Sequence, residues 1–460
     1  MVALHPVPLD PAPLDPSIPD DDLVIALPDD ATLDRPGVDA LVELATDDPA
    51  DAWYGDLVIA GRVHRRTAWS PTRLLADPVA AAPVAVRAGW LRAHDTSAAA
   101  SDLAFRLVRE RADVVHFTTV LTRHASLPSG PDPADIEAHL AALAIPAALD
   151  SDHRLHANDE FAPEVDIIVP TAGTVLGDGT VAAIRLRERL GPLPDRMGLV
   201  FVVGDEFRGD PSTLETPGCR IVRRPAGPFN FSEAVNLGVL HSRATHVLLL
   251  NDDTEPAGSS FVDRMALHLT DATVGAVGAL LTYPDGTVQH AGIVIDDARP
   301  LHPFVGWKLA DTAPHGGLVA REVAAVTGGC LMMRRADYLA VGGLSTSFPL
   351  SFNDVDLCVR VQRAIGRIVV EPAATLVHHE TLSREPVITA TEWDRWIDRW
   401  GEILDPWYHP AYLRPDDPHD LARNADHLEP RPGDTPPPTQ LRRPRLQSRV
   451  HRGRPASGNG

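Results

Sequence analysis

The sequence predicts an α/β fold built on a mainly parallel sheet. Three short apolar runs predict it: 165–169 (VDIIV), stopped by Pro170; 199–203 (LVFVV), ended by Gly204; and 246–250 (HVLLL), which runs into Asn251-Asp252-Asp253. Each has the length of a buried strand, and helical patterns lie between them. Strands alternating with helices give a parallel sheet, whose ligands sit at the carboxyl ends of the strands. The acidic pair Asp252/Asp253 stands at such an end.

Taken in order, residues 1–22 are rich in Pro and Asp and are expected to be extended or disordered. Residues 23–150 read as globular but irregular. The sharper pattern occupies 160–412. There, 180–190 reads as a helix, and Ser232 reads as the N-cap of another that runs to about 241. Gly328-Gly329 precedes a strand at 330–333 (CLMM). Asn353 is expected to cap a helix to about 365, with Gly366 as its stop. A further strand at 368–370 leads towards His378-His379-Glu380. Residues 415–460 are Pro- and Arg-rich and end in a basic stretch, RRPRLQSRVHRGR (442–454). That tail is expected to be disordered, or to make peripheral contact with anionic lipid or with the acidic body of the protein.

Composition removes several classes. Apolar residues are 44% and charged residues 23%, globular values that exclude wholesale disorder. No apolar run approaches the ~18 residues of a membrane span. The acidic N-terminus lacks the basic and apolar regions of a secretory signal, and three cysteines form no disulfide framework. A cytoplasmic location follows as the expectation, with the membrane's cytoplasmic face as the variant the tail suggests. The net charge of −21 argues against nucleic acid as a partner.

Two acidic clusters carry the chemistry. Asp252/Asp253 after a strand suits a divalent cation that in turn holds a diphosphate. Alone, such a pair more often marks a solvated turn or a helix cap. Asp354 and Asp356 fall in the first turn of their helix, where the dipole favours negative charge. Either simple capping or a general base fits them. His378, after a strand, suits a further metal ligand. Gly328-Gly329 lets a backbone approach a sugar or acceptor, or simply makes a tight turn.

Together the segments IVPT (168–171), PFNFSEAVNLG (228–238), LLLNDDTEP (248–256), VGAVGALLTYPDGTVQHAGIVI (274–295), AVTGGCLMMRRADYLAVGGL (325–344), FNDVDLCVRV (352–361) and HHETLSR (378–384) resemble family 2 glycosyltransferases of the rhamnosyltransferase and O-antigen type. The resemblance covers about residues 164–412. It implies a GT-A fold, a nucleotide-diphospho-sugar donor, a glycan or lipid-linked acceptor, inversion at the anomeric carbon, and Mg²⁺ or Mn²⁺. By position it implies Asp253 and His378 at the metal. Thr171, Asp205, Asn230 and Asp252 would lie along the donor. Asp354 would be the base, with Asp356 either on the acceptor or capping the helix. Two departures stand out. The turn that usually follows the second strand is here Val203-Gly204-Asp205-Glu206-Phe207, and a Glu-Ser pair is here Glu380-Thr381.

The N-terminal third contains an internal repeat. LVIALPDDATL (23–33) aligns with 246–256, placing Asp29-Asp30 over Asp252-Asp253. Residues 102–124 align without a gap from Asp356 onward, so that Asp102 falls on Asp356 and His124 on His378. Ala100 occupies the place of Asp354. No counterpart of the first strands is evident before Asp29. Residues 23–150 therefore read as a truncated, degenerate glycosyltransferase half that serves as a scaffold, an acceptor platform or a dimerisation surface, with a homodimer as one consequence. Two other readings remain. A nucleotidyltransferase wants a Gly-rich, basic phosphate loop, and Pro170-Thr171-Ala172-Gly173-Thr174 is not one. A non-catalytic carbohydrate-binding or assembly protein would follow if Asp354 were turned away from Asp252/Asp253.

Overall fold

The computed structural model describes residues 2–9, 13–80, 83–149, 155–208, 210–315, 317–379, 388–403, 405–407 and 440–441. Glu380 and Thr381 of the histidine motif and the basic stretch 442–454 lie outside the described residues.

The N-terminal part comprises β1 (Leu4–Pro8), β2 (Leu23–Leu27), β3 (Ala31–Leu33), α1 (Arg35–Asp47), β4 (Ala52–Ile59), β5 (Arg62–His64), β6 (Ala85–Arg87), α2 (Ala88–Ala93), α3 (Leu103–Arg109) and β7 (Val114–His124). α4 (Pro133–Ala142) and a small hairpin, β8 (Ala147–Leu149) with β9 (Leu155–Ala157), lead out of it. The larger part begins with β10 (Val165–Thr171), α5 (Ala182–Leu190), β11 (Met197–Val203), β12 (Cys219–Arg223), α6 (Phe231–Leu240) and β13 (His246–Leu250). It continues through β14 (Thr254–Pro256), α7 (Ser260–His268), β15 (Val274–Thr282), β16 (Val288–His290), β17 (Val294–Asp296), β18 (Arg299–Leu301), β19 (Arg321–Val323), β20 (Cys330–Arg334), α8 (Arg335–Ala340), α9 (Asn353–Ala364), β21 (Arg367–His378) and α10 (Ala390–Trp400). A last short strand, β22, is Gln440–Leu441.

In the larger sheet the order is β12-β11-β10-β13-β20-β15-β21-β14. The first four strands are parallel, as expected of the three apolar runs. Beyond β13 the pairing becomes mixed, because β20 runs antiparallel to both β13 and β15. That reversal sets the start of β20 beside the carboxyl end of β13, where the Asn251 amide donates to the Gly329 carbonyl at 3.1 Å. Apolar layers bury both faces of this sheet, which makes it an α/β core.

The smaller sheet has the order β1-β2-β6-β4-β7, with β3 on β7 and β5 on β4. Without β12 and β11, the larger sheet gives the same series: β10-β13-β20-β15-β21, with β14 on β21 and β16 on β15. Strand directions agree at each step. Both long parallel pairs shift register at the same place, after Gly55 and after Ala279. Arg87 donates to the carbonyls of Ala45, Asp48 and Ala50, and Arg334 donates to those of Leu269, Ala272 and Val274, the same relative positions. Repetition at this level of detail is a property of the fold.

Two expectations for the N-terminus are corrected here. Residues 4–8 form β1, parallel to β2, and supply the counterpart of β10 that the sequence does not reveal. Of the first strands, β11 and β12 lack one among the described residues. The Leu23 amide bonds the Ala3 carbonyl, so by strand alternation positions 6 and 8 of β1 turn their amide sites outward. Both are proline, which leaves Leu4 as the one residue of β1 with an outward amide donor for a further strand. Among the described residues no helix is long and apolar enough to cross a membrane.

Candidate active site

The site lies where β10 and β13 end and β20 begins. Thr171, the last residue of β10, donates its hydroxyl to Asp252 Oδ2 at 2.5 Å and accepts from the Gly173 amide at 3.1 Å. Asp252 is nearly buried, and burial together with the adjacent Asp253 charge pushes its carboxyl up to about 7. A cation at the pair would relieve that repulsion.

Asp253 Oδ1 lies 3.1 Å from His378 Nε2. β14 on β21 creates this contact, with Thr254 opposite His378 and the His379 amide on the Asp253 carbonyl. The other imidazole nitrogen, Nδ1, lies 2.7 Å from Gln289 Oε1. An amide oxygen only accepts, so Nδ1 carries a hydrogen, and in the neutral imidazole Nε2 then presents its lone pair to the carboxylate. Two acceptors so placed want a proton or a cation between them. Among the described residues no group of three or more His, Cys, Asp or Glu is placed to hold a metal ion. A pair of protein ligands nonetheless suits a cation that takes its remaining positions from diphosphate and water.

Asp354 occupies the first turn of α9. Its Oδ2 accepts from the Gly328 amide and its Oδ1 from the Val355 amide, each at 2.8 Å. A continuous wall thus runs from Asp354 through Gly328-Gly329 to Asn251, and from Asn251 Nδ2 to His378 Nε2 at 3.4 Å. α9 starts one residue differently from expectation. Asn353 is its first residue, and the preceding Phe352 takes φ +61°, a left-handed conformation that a bulky side chain rarely adopts. Stacking on Trp396, with Phe348 and Trp393 alongside, holds that ring. Strain of this kind is stored at functional positions.

Four expected residues stand as follows. Asp356 is completely buried and saturated: Oδ2 takes Arg360 Nε (2.9 Å) and Nη2 (2.7 Å), while Oδ1 takes Arg399 (2.8 Å) and Trp400 Nε1 (3.0 Å). It reaches no acceptor and anchors α9 to α10. Asn230, expected on the donor, is the N-cap of α6. Its side-chain Oδ1 accepts from the Glu233 amide, and its Nδ2 donates to Thr346 O. Ser232, expected as that cap, is buried and donates to Phe348 O. Asp205 is exposed; its neighbour Glu206 makes the local ion pair, with Arg224 at 2.6 Å. This loop packs on the turn after β10, where Gly173 has φ +69° and a Cβ would come within 2.8 Å of the Arg208 backbone.

Sequence reasoning missed Gln289 and Asn251. Gln289 sat inside a motif (TVQHAGIVI) that carried no assigned residue. Asn251 adjoins the acidic pair and gave no chemical signal of its own.

No family model matches the chain. It is 35% identical over 275 residues to an uncharacterized protein, y4gI, of Sinorhizobium fredii, covering 55% of this chain and 29% of that one. It is 32% identical over 194 residues to the O-antigen biosynthesis protein RfbC of Myxococcus xanthus, covering 40% and 15%. Over 123 residues it is 30% identical to the N-acetylglucosaminyl-diphospho-decaprenol L-rhamnosyltransferase of Mycobacterium tuberculosis, covering 24% and 40%. The chain thus spans well under half the length of these curated relatives. Among solved structures, GalNAc-T7 with UDP, GalNAc and Mn²⁺ is similar at 12% identity and a TM-score of 0.42, over 57% of this chain and 54% of that one. Likeness at that level leaves the fold assignment to the strand topology. In sequence the chain is similar, over part of its length, to an O-antigen biosynthesis protein and to a rhamnosyltransferase.

Proposed function

We propose that the protein transfers a sugar, with inversion, from a nucleotide-diphospho-sugar to a hydroxyl of a glycan or lipid-linked acceptor. The observation that carries this reading is the join of Asp354 to the Asp253/His378 pair through Gly328-Gly329 and Asn251. Asp253 and His378 Nε2 would hold a divalent cation, which when bound supplies charge neutralisation for the departing diphosphate. Gln289 fixes the tautomer that leaves Nε2 free for it. Thr171 and Asp252 line the approach of the donor. Asp354 accepts the proton of the acceptor hydroxyl as that oxygen attacks the anomeric carbon. One displacement inverts the centre. The amides of Gly328 and Val355 fix the direction of the Asp354 carboxylate.

The test is Asp354→Asn. Removing only the proton acceptor should lower turnover by roughly 10²-fold or more while Mn²⁺-dependent binding of UDP or GDP persists by calorimetry. Unchanged turnover on a panel of UDP-, GDP- and dTDP-sugars would sink the mechanism. Binding without any turnover in the wild type would favour the non-catalytic carbohydrate-binding reading.

A further inference from the structure

Glu322 lies on β19, outside the site, yet its carboxylate is gripped from the N-terminal part, by the loop that follows β5. It is buried, and it accepts from the hydroxyls of Ser70 and Thr72 and from the Thr72 amide (2.8 Å from Thr72 Oγ1, 3.1 Å from its N). Arg367 of β21 pairs with the same carboxylate and donates to Thr72 Oγ1 at 3.0 Å. A buried charge tolerates this position only while those donors are present.

The segment that follows Glu322 is fixed at two further points. Gln362 on α9 donates to the carbonyls of Val323 (3.1 Å) and Ala324 (2.8 Å). Four residues later the Gly328 amide holds Asp354, on the same helix. The stretch 322–328 is therefore one strut. The N-terminal part anchors one end, the Asp354 carboxylate takes the other, and the Asp354 helix is tied along its length.

We propose that Glu322 is a positioning residue through which Ser70 and Thr72 set the Gly328 amide, and with it the direction of the Asp354 carboxylate. The N-terminal sheet, with Ala100 in place of a base, then serves the larger sheet as a brace. The catalytic consequence rests on reading Asp354 as the base; the mechanical coupling does not.

The test uses the full chain. Ser70→Ala and Thr72→Val, singly and together, remove donors from the N-terminal side and leave every site residue in place. Thr72→Ser keeps the hydroxyl and is the conservative control. Hydrogen–deuterium exchange is read on peptides covering 324–331, with peptides from β10 and β13 as references. In the double variant the Gly328 amide should exchange roughly tenfold faster, with β10 and β13 unchanged and Thr72→Ser like wild type. Turnover on the sugar-nucleotide panel should fall by roughly tenfold, with UDP or GDP affinity within about twofold. Faster exchange confined to 68–76 and 321–323, with Gly328 unaffected, overturns the coupling, and unchanged turnover per folded molecule with a loosened Gly328 overturns its catalytic consequence. Should the double variant not fold, Thr72→Val alone gives the same two readings. Running Asp354→Asn alongside separates the claims: if it turns over normally while Gly328 still loosens, the base assignment fails and the strut stands.

Discussion

Where the larger sheet has Asp354, the smaller has Ala100; where the larger has Asp356, the smaller has Asp102. The two carboxylates of α9 are two residues apart and have had different fates in the repeat. Asp356 pairs with Arg360 one turn on, and Asp102 pairs with Arg106 one turn on, at 2.8 Å. That carboxylate belongs to the fold, so both copies keep it. Asp354 makes no side-chain ion pair among the described residues and is missing from the copy that lacks β11 and β12. The carboxylate present in one copy only is the one proposed above as the base.

The Asp253/His378 pair shows the same divergence. His124 sits opposite Ala31 as His378 sits opposite Thr254. Yet His124 Nε2 pairs with Thr122 Oγ1 at 2.9 Å, and Asp30 turns to Ser126, accepting from its hydroxyl at 2.7 Å. The residues persist in sequence while the contact between them is gone.

The largest effect should come from Asp356→Ala. It leaves Arg360, Arg399 and the Trp400 indole facing a void, a loss of about 3–5 kcal/mol. Asp102→Ala, at a half-exposed ion pair, should cost about 1 kcal/mol or less. Urea unfolding of the two variants measures the difference, and equal values would break the parallel. Next, Asp253→Ala should weaken Mn²⁺-dependent UDP or GDP binding by at least roughly tenfold, whereas Asp30→Ala should leave it unchanged. Calorimetry decides, and a loss from Asp30→Ala would give the smaller sheet a site of its own.

The smallest effect is that of pH on the contact between the sheets. Burial alone would raise the Glu322 carboxyl, but Arg367 and the Ser70 and Thr72 donors outweigh it and hold it below its ordinary 4.5. A folded value below the unfolded one gives stability that is complete above about 4.5 and is lost as pH falls through the folded value. The difference in melting temperature between wild type and Glu322→Gln should therefore be flat above roughly pH 5 and shrink below it. A difference that grows on acidification would mean the carboxyl is protonated in the fold.

Much of this was legible in the chain. The strands at 165–171, 197–203 and 246–250 follow from apolar runs, and the acidic pair at the end of the third follows from strand direction. The repeat could be read from aligned acidic, arginine and histidine positions. β1 could not: LHPVP carries two prolines in five residues and looks like a linker. It becomes a strand because only one of its edges needs amide donors.

What the sequence determined by itself was local: which segments are apolar, where they stop, and which charged residues stand at their ends. Those properties depend on neighbours a few residues away. Tertiary structure alone decided which carboxylates remain available. Asp354 and Asp356 are equivalent in sequence, both acidic and both in one helical turn. They differ because Arg399 and Trp400, more than forty residues on, close over Asp356, while a glycine amide from the preceding strand turn leaves Asp354 at the site. Gln289 on His378 and Ser70 on Glu322 are decided the same way. A buried polar group takes its role from whichever donors the packing brings to it, and those donors come from distant parts of the chain.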